Sequence, residues 1–203
     1  GYSTYLQGTL NAISDEVSDG VITIDSTGTT PTKGTTSTDE VTWSRSGQHL
    51  IATYTYYQTT TGTAGTGAYL FTLPNGLQAH SIVKRSTELS TDQGDTRVGT
   101  FSVSNGSAGT VYATGYIKMY NATQFIARVD VAGTDGGSGS SATGDAIGSG
   151  VFPLSNAVTV YKIDIRLPIE GWTNGLDAVV SNTLSANDAG FISWSSNDQQ
   201  NVV

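Results

Sequence analysis

Apolar and polar residues alternate along most of this chain, in short segments separated by turns of Gly, Ser, Thr, Asn and Asp. Within residues 50–58, one side carries Leu50, Ala52, Tyr54 and Tyr56. Within residues 125–131, Phe125, Ala127, Val129 and Val131 face one way, and Gln124, Arg128 and Asp130 face the other. A period of two residues is typical of a β-strand with one buried face.

This pattern predicts about ten short strands. They include residues 21–25, 40–45, 50–58, 68–73, 81–85, 97–104, 110–120, 125–131 and 158–167, with Phe191, Ile192 and Trp194 in the tail. No interior segment has the long amphipathic pattern of a crossover helix, which argues against a parallel α/β sheet. The sequence therefore predicts an all-β protein, an antiparallel β-sandwich of the jelly-roll kind.

The first twenty residues follow a different pattern. Leu6, Leu10, Ile13 and Val17 have the a/d spacing of a coiled coil, and Gly20 is a plausible stop. Residues 1–20 are therefore expected to form a short N-terminal stalk-like segment. It is either the end of an oligomeric coiled coil or a short helix or turn packed on the domain. Residues 21–203 are expected to form the sandwich.

The charge composition of the chain argues against two classes of binding partner. The 203 residues carry a net charge of -8, with only nine Lys and Arg that form no cluster along the chain. Nucleic acid and anionic membrane surfaces both require clustered basic residues, so neither is an expected partner. No apolar run is long enough for a membrane span, and the lack of Cys excludes disulfides and thiolate metal sites.

Candidate chemistry is sparse. There are two histidines, His49 and His80, and none of the short motifs of serine hydrolases, zinc proteases or P-loop proteins. The run from Asp130 to Asp135 is the closest match to a calcium loop, but it lacks the alternating acids of an EF-hand and favours a flexible surface loop. We predict no catalytic residue, metal or cofactor. A glycan-cleaving hydrolase, which needs two positioned carboxyl groups, is the less favoured alternative.

Tyrosine and threonine share faces of two predicted strands. Tyr112, Thr114, Tyr116, Lys118 and Tyr120 fall on one face, and Thr53, Thr55 and Tyr57 on another. Only one face of a sandwich strand looks into the core, so such a face is a subunit interface, a glycan-binding surface or a solvated outer sheet. The candidates for ligand binding or for a trimer interface are Tyr57, Tyr69, Tyr112, Tyr116, Tyr120 and Trp194.

Several motifs occur in a recognisable order. They are Trp43-Ser-Arg45-Ser-Gly47, the tyrosines of residues 54–57, the Thr/Gly loop and strand of residues 61–77, and Pro168-Ile-Glu-Gly-Trp172. This set, which spans residues 39–172, resembles the receptor-binding tips of phage tail fibres and the related tips of trimeric bacterial fibre adhesins.

The resemblance implies a tumour-necrosis-factor-like sandwich that forms a homotrimer on a fibrous stalk. It also implies an extracellular location on a fibre or virion, and a cell-surface glycan of a host or prey cell as partner. No catalytic residues come with it. A ligand-free structural or decoration module of a virion is the alternative. Trp43 and Trp172 are expected to anchor the core or a turn, and residues 59–67 to form a flexible loop.

Overall fold

The computed structural model describes residues 16–18, 20–83, 85, 96–105, 111–132, 144–156 and 159–172. All of them lie in one compact unit, Gly1–Thr173, and a second unit comprises Asn174–Val203. Leu6, Leu10, Ile13 and Trp194 lie outside the described residues. No helix in the described part is long and apolar enough to cross a membrane.

The described chain is all-β, as predicted. Its strands are β1 (Glu16–Ser18), β2 (Ile24–Ser26), β3 (Thr36–Ser46), β4 (His49–Gln58), β5 (Tyr69–Thr72), β6 (Arg97–Asn105), β7 (Val111–Met119), β8 (Gln124–Ala132) and β9 (Thr159–Pro168). They form one antiparallel sheet in the order β1-β3-β4-β9-β6-β7-β8-β5-β2. A single 3-10 turn, Pro74–Gly76, follows β5.

The sequence of strand β4 explains which of its faces is buried and how it pairs in the sheet. Its burial alternates, with Leu50, Ala52, Tyr54 and Tyr56 at most 2% exposed. The β3–β4 hairpin closes with Ser46 opposite His49, and Gly47 adopts a φ of 61°, which glycine reaches without a steric penalty. A register slip of one residue would move the apolar set to the solvent face, so this pattern fixes the register.

The sheet curls around its core. Phe125 of β8 packs edge-on against Tyr54 of β4 at 5.2 Å between ring centroids, although three strands separate β4 from β8 in the sheet order. Phe71 of β5 meets Tyr161 of β9 at 6.1 Å. Strands that are distant in the sheet therefore face each other across a core rich in aromatic rings.

A buried polar network closes one end of this core. The hydroxyl of Tyr56 donates to Gln58 Oε1 at 2.7 Å, and Gln58 Nε2 donates to the carbonyl oxygen of Leu154 at 2.7 Å. The hydroxyl of Tyr161 donates to the carbonyl of Phe152, and the hydroxyl of Tyr69 accepts from Leu154 N at 3.0 Å. Because these side chains are buried, each bond offsets a desolvation cost and holds residues 152–156 in place.

Because these tyrosines are buried, we expect the folded state to lose stability at alkaline pH. Burial raises the pKa of Tyr56, Tyr69 and Tyr161 above that of an exposed phenol. The unfolded chain therefore releases these protons first, and the folded state loses stability as the pH rises above about 10. We expect the melting temperature to fall through this range, and some of the ten tyrosines to ionise late when phenolate absorbance is followed.

Tyr161→Phe is the matched variant, since it removes one late-ionising group and retains the ring. Its melting temperature should depend less steeply on pH above about 10. Simultaneous ionisation of all tyrosines near pH 10 in the folded protein would contradict the burial argument.

The threonine-rich loop of residues 59–67 is more ordered than the sequence predicts. Residues 59–67 do not form an independent flexible loop, because they pair with the loop between β2 and β3. Thr63 N donates to the carbonyl of Thr32 at 2.9 Å, and the two hydroxyl groups lie 2.8 Å apart. Thr66 N likewise donates to the carbonyl of Thr29 at 3.0 Å. The hydroxyl and backbone groups of the two loops satisfy each other, which fixes both.

Three further expectations need correction. Glu16–Ser18 form a strand paired with β3, so Val17 is not part of a helix. Ser81, Ile82 and Val83 form a turn closed by Val83 N and the carbonyl of His80 at 3.0 Å, where a strand was predicted. The Gly/Ser composition of residues 133–150 predicts a mobile loop, but Ile147 N donates to the carbonyl of Ala127 at 3.0 Å, which joins this part of the segment to β8.

Candidate functional site

The outer face of the sheet is the most extended polar surface among the described residues. Cross-strand pairing places its side chains in rows perpendicular to the strands. One row is Thr42, Thr53, Asp164, Thr100 and Tyr116, and the next is Glu40, Thr55, Lys162, Ser102 and Thr114. Thr53, Thr100, Thr114, Lys162 and Asp164 are exposed, so none of the described residues covers the middle of this face.

Two shallow grooves lie side by side on this face. The first, of about 430 Å³, is lined by Ile51, Ala52, Thr53, Arg97, Val98, Gly99, Asp164, Ile165 and Arg166. The second, of about 410 Å³, is lined by Thr100, Phe101, Ser102, Thr114, Gly115, Asp130, Lys162 and Asp164. Asp164 lines both grooves, so one ligand could cross from one to the other over this residue.

Specific contacts orient the charged groups of the grooves. Thr53 Oγ1 donates to Asp164 Oδ1 at 2.7 Å, which leaves the second carboxylate oxygen available to a ligand hydroxyl. Arg97 lies over the ring of Tyr116, with 3.8 Å from Cζ to the ring centroid, and its Nη1 is 3.5 Å from Asp130 Oδ2. Both partners of this ion pair are about half exposed, so the pair is weak.

Tyr57 and Tyr116 both lie on the outer face, as predicted. Tyr57 is half-buried between Thr38 and Val160, its partners on β3 and β9. Tyr116 is 5% exposed because Arg97 lies over its ring. Tyr57 is therefore directly accessible, whereas Tyr116 is available only if the guanidinium group of Arg97 moves.

The other candidate tyrosines lie elsewhere. Tyr69 is fully buried, so its proposed position on a binding surface is wrong. Tyr112 occupies an irregularity where Ala113 and Val111 oppose consecutive residues of β6, and its ring stacks on Phe152 at 6.2 Å. Tyr120 is half-buried in the turn after β7, where its N–H donates to the carbonyl of Gln124 at 2.9 Å. Trp194 lies outside the described residues.

The charged residues at the centre of the face were not among the candidates. Lys162, Asp164 and Arg166 alternate with apolar residues along β9, and all three are exposed. The signal in the sequence was this alternation of charge within a strand that the sheet places between β4 and β6. These three charged residues were not predicted, because only aromatic side chains were considered as candidates.

Trp43 and Trp172 anchor the domain, as the sequence predicted. Their rings stack at 6.3 Å between centroids and pack against the core cluster, and Arg45 Cζ lies 4.8 Å from the ring centroid of Trp172. Trp172 N donates to the carbonyl of Ile169 at 3.2 Å, which closes the turn of the Pro-Ile-Glu-Gly-Trp motif.

Metal-ligating side chains do not gather into a site in the described part of the chain. Within those residues, no group of three or more His, Asp or Glu side chains could hold a metal ion. His80 Nδ1 accepts from the backbone N–H of Ile82 at 3.1 Å, and the N–H of His80 donates to the carbonyl of Pro168 at the end of β9 at 2.8 Å. Asp135, at the end of the run compared with a calcium loop, lies outside the described residues.

Comparison with known proteins gives no relative from which a role could be transferred. No family model matches this chain, and neither a curated protein nor a solved structure matches it.

Proposed function

We propose that this chain is the tip domain of a trimeric fibre that attaches a phage or a bacterial fibre to a cell surface by binding a glycan. The observation that carries the proposal is the exposed outer face, with two adjoining grooves lined by hydroxyl and charged side chains. The ordered motifs of residues 39–172 support the assignment to fibre tips.

The chemistry of the grooves suits a sugar. Ser and Thr hydroxyl groups donate and accept, the Asp164 carboxylate accepts, and Lys and Arg donate, which together match the hydroxyl groups of a saccharide. The grooves are shallow, so a single site would bind weakly. Three copies on one fibre would strengthen attachment to a polysaccharide that displays many identical units.

The finer fold belongs to the same proposal. A curled sheet whose β4 and β8 meet across the core is compatible with a jelly-roll or tumour-necrosis-factor-like sandwich. Exposed apolar side chains, Val21, Ile51, Ile82 and Val111, offer contacts to further copies. Such contacts would bury surface that is costly to leave in water.

Mass in solution and a glycan array test the proposal together. We expect a mass of three chains of 21.1 kDa each by sedimentation or native mass spectrometry, and binding to at least one surface polysaccharide. A trimer that binds no polysaccharide would instead favour a ligand-free structural module. A monomer would overturn the fibre-tip assignment, and release of new reducing ends would identify a hydrolase.

A further inference from the structure

The sheet concentrates positive charge that is scattered along the sequence. Strands β9, β6, β7 and β8 are neighbours, and together they carry five basic and two acidic residues, a formal charge of +3. The whole chain has a charge of -8. Lys118 and Arg128 are buried, however, so the exposed side chains of these strands are three basic and two acidic residues, a formal charge of +1 on a chain of -8.

Three of these basic residues border the grooves. Arg97 and Arg166 line the first groove, and Lys162 lines the second. All three are exposed, whereas Lys118 and Arg128 of the same four strands are buried. Lys162 and Arg166 are four residues apart on one strand, which separates them by about 13 Å. A ligand that contacts both must therefore be an extended chain with repeated anionic groups.

We infer that the paired grooves bind an acidic polysaccharide, one whose sugar units carry carboxylate or other anionic groups. This inference rests on the glycan attachment proposed above, and adds the position of the site and the charge of the ligand. Lys162 and Arg166 pair with separate anionic groups along the polymer, while Ser102 and Thr114, which lie beside Lys162 on β6 and β7, bind sugar hydroxyls. Asp164 accepts a hydroxyl hydrogen bond through its second oxygen, beside the bond from Thr53.

The surroundings of the grooves favour a saccharide over other polyanions. Thr53 in the first groove and Thr100, Ser102 and Thr114 in the second offer hydroxyl groups. The only exposed large apolar residue that lines either groove is Ile51. A nucleic acid strand would require stacking platforms, but the Tyr116 ring lies beneath Arg97.

Polygalacturonate and its methyl ester provide a matched pair of probes, because the same polymer carries a charged carboxylate in one and a neutral methyl ester in the other. The full chain should bind polygalacturonate at least tenfold more tightly than the ester in low salt. The double variant Lys162→Gln with Arg166→Gln should remove most of this preference. Its dependence on salt concentration should also become shallower, since fewer counterions are released on binding.

Two single variants test whether binding depends on this face or on the charge of the protein in general. Arg85→Gln removes an exposed positive charge that lies on no strand of the sheet, and should leave the affinity within about twofold of the original. Thr114→Val removes a hydroxyl group at nearly constant volume, and should weaken polygalacturonate binding several-fold. Equal weakening by Arg85→Gln and by the double variant would overturn the assignment to this face.

The remaining outcomes distinguish this inference from the proposal on which it rests. Equal binding of the ester and the acid, unaffected by the double variant, would reject the acidic-ligand site but leave glycan attachment standing. Failure to bind any polysaccharide would reject both. Binding of a single-stranded DNA oligomer as tightly as polygalacturonate, with the same sensitivity to the double variant but none to Thr114→Val, would show a general polyanion surface and overturn the inference.

Discussion

Replacing Phe125 with Ala is expected to lower the free energy of unfolding by about 3–5 kcal/mol. Phe125 is fully buried, stacks on Phe71 at 5.5 Å and meets Tyr54 edge-on at 5.2 Å. Removing the ring leaves a cavity between β8 and β4, which face each other across the core. The curled backbone is fixed by hydrogen bonds on both sides of the cavity and cannot collapse into it.

Chemical denaturation followed by far-ultraviolet circular dichroism measures this loss. Tyr57→Ala is the control, because Tyr57 is an aromatic residue of β4 on the opposite, outer face, and its loss should cost less than about 1 kcal/mol. Phe125→Leu should fall between the two. Similar stabilities for the Phe125→Ala and Tyr57→Ala variants would contradict the assignment of the inner face to the core.

The sequence was most informative where one face of a strand is apolar. Leu50, Ala52, Tyr54 and Tyr56 were placed on one face by alternation alone, and the structure buries all four. Alternation works here because β4 has one solvated face. In β5, Tyr69, Leu70 and Phe71 are all buried, so the pattern contains no information about which side Tyr69 faces.

Contacts between distant segments account for the other differences. The burial of Tyr116 depends on Arg97, nineteen positions earlier in the chain, whose side chain crosses the ring. The order of the threonine loops depends on pairs such as Thr32 with Thr63. Arg97 and Lys162 border adjoining grooves only because β9 lies beside β6 in the sheet. None of these contacts leaves a periodic signal within a window of a few residues.

Gly62→Ala is expected to destabilise the fold by about 3 kcal/mol, at the upper end of the usual cost of overpacking. An added Cβ would overlap the carbonyl oxygen of Thr32 and lie 2.8 Å from the Gly34 nitrogen. These are backbone atoms, which cannot rotate away as a side chain can. The loops would have to separate, which breaks the bond from Thr63 N to the Thr32 carbonyl.

Gly150→Ala is the matched control. A Cβ at Gly150 meets nothing within 4 Å, so the same substitution there only reduces the conformational freedom of the unfolded chain. It should leave the melting temperature unchanged or slightly raised, while Gly62→Ala lowers it by several degrees. A Gly62→Ala variant as stable as Gly150→Ala would show that the two threonine loops can move apart freely. A clear loss of stability would instead show that the two loops are held together by their backbone contacts.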